Sequence, residues 1–374
     1  MDAEPSQDVV ELKSARALAQ MLNGRKLMEV IIRTKRLLAS LVRTAAAALF
    51  VTSFVLAAPL APASAQTKLT FLLNVPPAGY NAGFELAVEK GLYKDAGLDV
   101  TIEPGNGSQT TAQLLSVGKY DIGFADSAPV MKLISQGAKL KVLATILQGN
   151  PDAVTALKKT GLKSVADIKG RSVAMPTAGS QVALFPLVLA ANNLKESDIK
   201  LVNMPPEAMV SALIQGTVEV ILGSVDQFDI QLKNQGQQFD SYLFIDSGAP
   251  TVSTSIIASD EFLAKNPEVA KKFVAASLKG WYATLDNPAE AVAAMKKMFP
   301  DANEKLAPAQ IEATNFLMCV NHAKFIGKAL PQQWDDTVKS FVTIGVLPSD
   351  VPASKYYTYD YLPPDAELRF CPTK

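Results

Sequence analysis

At 374 residues, 48% hydrophobic and 19% charged, with 36 basic residues balanced by 36 acidic ones, the chain has the make-up of a globular protein large enough for two lobes. Of these, 8 basic and 5 acidic residues fall in residues 1–65, leaving 28 and 31 for the remainder, where Arg171 and Arg369 are the only arginines. A mildly acidic body of that kind excludes a phosphate-tracking basic groove, and no nucleic-acid partner is expected.

The longest apolar run, residues 44–58, is preceded by Arg33, Lys35, Arg36 and Arg43 and followed by Pro59, Pro62 and the small-residue triplet Ala63-Ser64-Ala65. This order predicts a signal peptide over residues 1–65, with Gln66 as the first residue of a periplasmic product. The run is about 15 residues, short of the roughly 20 that a spanning helix needs. The first 27 residues are unusual for a signal peptide, and a start at Met28 gives the basic region its expected length. With no cysteine at the cleavage site, lipid attachment there is not expected.

From Gln66 onward short apolar runs alternate with helical patterns, which predicts a mostly parallel sheet covered by helices. Strands are expected at 69–73, 99–102, 122–125 and 142–146. A second α/β unit begins after residues 152–155. It has strands at 172–175, 201–203 and 218–222, and helices at 181–192 and 207–215. The chain then passes through 242–245 and returns along 252–258. Two crossings of this kind predict a hinge of two strands. The final third is helical, with proline in the first turn at Pro267, Pro288, Pro308 and Pro331. Trp281 and Trp334 continue apolar stripes and are expected in the core, while His322 is expected within a helical stretch. Tyr356, Tyr357, Tyr359 and Tyr361 alternate in a tail expected to pack over the first lobe.

Four runs stand in a telling order: EKGLYKDAGLDV, GNGSQTTAQLLSVGKYDIGFAD, DIKGRSVAMPTAGS and WDDTVKSFVTIGVL. In that order they resemble the periplasmic solute-binding proteins of ABC importers, in the group that takes nitrate, sulfonates, taurine and the pyrimidine precursors of thiamine. The resemblance spans essentially everything after residue 66. It implies an α/β fold, the type II periplasmic-binding-protein clamshell, in which two lobes are joined by a two-strand hinge. Lobe 1 would comprise residues 66–154 and 252–374, and lobe 2 residues 155–251. The implied partners are a small-molecule ligand and an ABC permease in the inner membrane, with the receptor itself a monomer.

The sequence holds no G-x-S-x-G, P-loop, complete G-x-G-x-x-G or metal-ligand spacing, so no catalytic residue, metal or cofactor is expected. Enzymes of pyrimidine and quinone-precursor biosynthesis share the fold the resemblance implies. The pyrimidine-forming type carries a cysteine-rich motif without a match here, and both types are cytosolic, in contrast with the signal segment. Cys319 and Cys371, an even pair in an exported chain, are expected to form a disulfide.

Ligand-binding candidates are the polar and aromatic residues at strand ends and helix starts: Asn74, Tyr80, Asn81, Asp126, Ser127, Thr177, Gly179, Ser180, Gln181, Asp226, Gln227 and Phe228. The segment 177–180 opens a helix and could receive an acceptor or anionic group, or Ser180 could simply cap it. Asp126 and Asp226 would repel a small hard anion such as a sulfonate. They suit a ligand with N–H donors, for example a pyrimidine or another nitrogen heterocycle, on which Tyr80 and Phe228 could stack.

Overall fold

The computed structural model describes residues 65–372 and scattered helical positions between 14 and 36; residues 44–58 and the start of the small-residue triplet lie outside the described residues. Two five-stranded sheets form the frame. The first has the order β2-β1-β3-β10-β4, from β1 (Thr67–Leu72), β2 (Leu98–Glu103), β3 (Ile122–Asp126), β4 (Leu140–Thr145) and β10 (Thr254–Ser259). The second has the order β7-β6-β8-β5-β9, from β5 (Asp152–Leu157), β6 (Ser172–Met175), β7 (Lys200–Asn203), β8 (Val220–Ser224) and β9 (Phe239–Leu243).

The sheets share one topology. In each, three strands run parallel and a fourth inserts antiparallel between them and the edge strand. That inserted strand is always the one that has just arrived from the other lobe: β5 after the first crossing, β10 after the return. The first crossing thus completes the second sheet and the return completes the first, which ties the two halves of the chain together.

Why the first lobe holds is visible in its helices. Phe84 and Trp281 meet edge to face with ring centroids 5.3 Å apart, and Phe71 lies 4.7 Å from Phe84. The helices Ala82–Glu89 and Pro267–Asp286 cross at Gly83, where a Cβ would stand 2.3 Å from the Trp281 ring. Both tryptophans are core residues, as their stripes predict. The tail packs on this lobe too: Tyr356 is buried, and Tyr357 stacks on Trp334 at 4.7 Å while bridging to Val142. Cys319 and Cys371 are joined in a disulfide that anchors the chain end.

β9 ends at Leu243, and Phe244–Asp246 then turns as a short 3₁₀ segment. Phe244 is fully buried and stacks toward Phe185 at 6.1 Å, so the chain turns in order to bury that ring. The expectation that His322 lies within a helical stretch needs correction, because it falls outside any helix. It sits exposed in a turn at φ +60°, next to Asn321 at φ +56°, where the backbone reverses after the helix Ala307–Leu317.

Candidate functional site

A cavity of about 410 Å³ opens between the sheets, beyond the carboxyl ends of β1, β3, β6 and β8. That is where ligands lie in open α/β sheets, because loops leaving parallel strands turn their side chains and free amides into the crevice. The residues expected from sequence line it from both sides, with one exception. Ser127 is buried and donates through Oγ to the Ser253 carbonyl at 2.7 Å, so it holds β10 in place and does not face the cleft. Immediately after Asp126, the first turn of the helix Ser127–Ser135 rotates it away.

Three buried carboxylates stand in the cleft. Asp126 Oδ1 accepts from the Ala128 N–H at 2.9 Å, and its Oδ2 accepts from Asn150 Nδ2 at 3.0 Å and Ser253 Oγ at 2.8 Å. Burial nonetheless pushes its pKa up to about 6, with these three donors pulling the other way. Asp152 accepts from Ser180 Oγ at 2.6 Å and Gln181 Nε2 at 2.7 Å, and burial raises its pKa well above the carboxylate range. Asp226 lies in a wide π-helical turn, Val225–Asp229, and burial holds its pKa up at about 6 against the Ser224 hydroxyl bond. Ser180 therefore does not cap its helix. Its hydroxyl belongs to Asp152, and the helix start carries no side-chain cap.

Asn150, Asp152, Ser253 and Ser108 are the contributors that sequence reasoning missed. Ser108 Oγ accepts from the Asp126 N–H at 3.0 Å. A weak signal for the first two existed, since Asn150-Pro151-Asp152 directly follows a strand run, the position from which Asp126 itself was picked out.

Also lining the cavity from the first lobe, Asn81 begins the helix Ala82–Glu89 without capping it. Its side chain is fully buried, lines the cavity, and neither Oδ1 nor Nδ2 has a hydrogen-bond partner. Gln181 is in a similar state, with Nε2 on Asp152 and Oε1 unpartnered. A buried amide left without partners costs on the order of 1–3 kcal/mol, so a group that satisfies it from the cavity recovers that much. Tyr80 stands on the same side, its hydroxyl donating to the Pro76 carbonyl at 3.2 Å. Phe228 presents one edge to the cavity, but most of its ring is packed over Gly223 in the second lobe.

The rim closes at Gly107. The Gln109 N–H donates to the Ala178 carbonyl of the facing lobe at 3.4 Å, and a Cβ on Gly107 would stand 2.3 Å from that same oxygen. At φ +97° the position also favours glycine on conformational grounds. The glycine-containing turn at residues 105–108 is thus one jaw of the cleft.

Among the described residues the cavity wall includes Asp126, Asp152, Asp226 and Glu207 but no lysine, arginine, histidine or cysteine. His322, Cys319 and Cys371 lie together in a separate surface depression. Among the described residues no group of histidine, cysteine and carboxylate side chains is arranged to hold a metal ion.

Residues 79–291 match the family model described as NMT1/THI5 like. The chain belongs to this family. The NMT1/THI5-like match covers the first lobe from Gly79, the whole second lobe and the return into the first. A curated relative, the riboflavin-binding protein RibY of Chloroflexus aurantiacus, is 26% identical over 349 residues, covering 90% of this chain and 99% of that protein. The 4-amino-5-hydroxymethyl-2-methylpyrimidine phosphate synthase THI5 of Saccharomyces cerevisiae is also 26% identical, over 79% of this chain and 88% of its own. Among solved structures, the alkanesulfonate-binding protein SsuA from Xanthomonas axonopodis pv. citri, bound to MOPS, superposes with a TM-score of 0.60 at 18% identity. That likeness covers 79% of this chain and 98% of SsuA, and it establishes the periplasmic-binding-protein fold.

Proposed function

We propose that this NMT1/THI5-like protein is an exported, monomeric receptor that captures a small polar organic ligand between two lobes and hands it to an inner-membrane ABC permease. The observation that carries the reading is Asn81: a fully buried amide with no partner, open to a cavity lined from both lobes. Closure about the two crossings, near Asn150 and Ser253, would bring a ligand's polar atoms onto it while the lobes meet at Gly107. The two moving bodies in this reading are residues 66–154 with 252–374 and residues 155–251, with β5 (Asp152–Leu157) carrying the boundary into the second sheet.

The ligand we favour carries N–H donors, as a pyrimidine or another nitrogen heterocycle does. Carboxylates line the cavity and no basic side chain does, which disfavours a sulfonate or nitrate. The names of two relatives point the same way, since riboflavin and an aminopyrimidine phosphate are both nitrogen heterocycles. Export fits the residues ahead of Gln66, the disulfide, and the absence among the described residues of a helix long and apolar enough to cross a membrane.

The synthase among the relatives supplies a second reading, an enzyme on the same fold. Against it, the cleft offers no cysteine, histidine or lysine as nucleophile or proton carrier. Denaturing the purified protein and identifying released small molecules by mass spectrometry tests the receptor reading. A single unaltered organic molecule in near-stoichiometric amount, lost in Asn81→Leu, is expected; turnover of that molecule would establish the enzyme instead.

A further inference from the structure

The chemistry of the cleft wall goes beyond hydrogen-bond preference. Its charged members are Asp126, Asp152, Asp226 and Glu207, all acidic. The three aspartates are 5% exposed or less, and they stand close enough that Asp126 and Asp226 each act electrostatically on Asp152. Water reaches groups so placed poorly, and among the described residues no lysine or arginine lines the cavity to balance them.

The three are not equivalent. Asp126 is committed to Ala128, Asn150 and Ser253, and Asp152 to Ser180 and Gln181. Asp226 is bonded only to Ser224 and its own N–H among the described residues. Of the buried carboxylates in the cleft it has the most accepting capacity left, since an ionised carboxylate offers about four lone-pair directions. The first lobe contributes the unpartnered amide of Asn81, while Gln181 Oε1, beside Asp152 in the same lobe as Asp226, is a further free acceptor. Tyr80, Phe124 and Phe228 supply aromatic surface, which attracts cations as well as flat rings.

We propose that the cleft takes an organic nitrogen cation, an amidinium or a ring-protonated amine, with Asp226 of one lobe as its counter-ion and Asn81 of the other orienting it. This rests on the receptor reading and narrows it. A cation entering the cavity neutralises the cluster of like charges and adds hydrogen bonds to both lobes at once. The net charge of the ligand, more than its ring type, then decides what is bound. Asp226 contributes the contact, with the buried Asp126 and Asp152 as acidic neighbours.

Three probes on one benzene ring that differ in charge test this: benzamidinium, the near-isosteric neutral benzamide, and the anion benzenesulfonate, each titrated calorimetrically into ligand-stripped protein at pH 7.5. Benzamidinium is expected to bind at least about tenfold more tightly than benzamide, with no detectable binding of benzenesulfonate. Asp226→Asn, which keeps the shape and removes the charge, should bring benzamidinium down to the affinity of benzamide; a melt of the ligand-free variant confirms that it folds. Benzamide or benzenesulfonate binding as tightly as benzamidinium overturns the cation assignment and leaves the cleft standing as the ligand site. So does benzamidinium binding unchanged in folded Asp226→Asn. Binding of none of the three also overturns the assignment, and the receptor reading is then decided separately by the molecule that co-purifies.

Discussion

Asn150 donates through Nδ2 to Asp126 Oδ2 across 3.0 Å, and it reaches that carboxylate from the first of the two segments that link the sheets. The second segment supplies the other donor to the same oxygen, Ser253 Oγ at 2.8 Å. One carboxylate at the end of β3 thus pins both crossings, while the Asn150 Oδ1 accepts from the Asp152 N–H at 2.7 Å and fixes the start of β5.

Asp126→Ala is therefore expected to cost fold stability as well as to alter the cleft. It strips three buried donors of their acceptor, which should lower the unfolding free energy by about 2–5 kcal/mol. Asp126→Asn, which keeps acceptance at one oxygen, should cost less. Urea unfolding followed by circular dichroism measures both. Equal stability of Asp126→Ala and the parent would mean that the crossings are held by other contacts.

Gly107→Ala should impair closure. The added Cβ meets the Ala178 carbonyl of the facing lobe, and the backbone at φ +97° resists any residue with a Cβ. Small-angle scattering should find the variant more open than the parent. Affinity for the co-purifying molecule should drop about tenfold or more, since each 1.4 kcal/mol lost is a factor of ten. An unchanged scattering profile and affinity would remove Gly107 from the closing contact.

Glu85 gives a pH signature. It is fully buried in the helix Ala82–Glu89, neither oxygen has a partner beyond its own backbone N–H, and burial pushes its pKa up to about 8. Between about pH 4.5 and 8 the folded chain keeps a proton that the unfolded chain has released. Stability contributed by this group is therefore full at the acid end and falls as pH rises through that window. Glu85→Gln should flatten the decline, raising stability at pH 8 by on the order of a few kcal/mol while changing little at pH 5. Thermal melts of both proteins from pH 5 to 8 check this, and parallel curves would show that Glu85 is ionised without penalty.

Reduction should loosen the chain end. The Cys319–Cys371 link spans 52 residues, and opening such a loop costs roughly 4 kcal/mol in the chain-entropy account. A double Cys→Ser variant should melt lower by several degrees and release the C-terminal tail to proteolysis first. Identical melts with and without reductant would show that the tail is held by Tyr356 and Tyr357 packing alone.

The alternation of apolar runs and helical stripes was enough to place β1 to β4 and β6 to β8 within a few residues, because burial on both faces of a sheet writes itself as local hydrophobicity; β5 and β9 were not among the strands expected. The positions of Asn81, Asp126, Thr177 and Asp226 at strand ends or helix starts were equally legible, since those places are defined along the chain. What each side chain does there was not. Asp126 and Ser180 looked like groups waiting for a ligand. One is taken up by Asn150 and Ser253 and the other by Asp152, partners as far as 127 residues away in the chain. Ser127 looked exposed to the crevice and is turned under β10. Hydrophobic periodicity is a property of neighbours in sequence, whereas the satisfaction of a buried polar atom is settled by whatever the fold brings within about 3 Å of it. Only the packed lobes could decide which of these atoms are occupied, and that Asn81 is not.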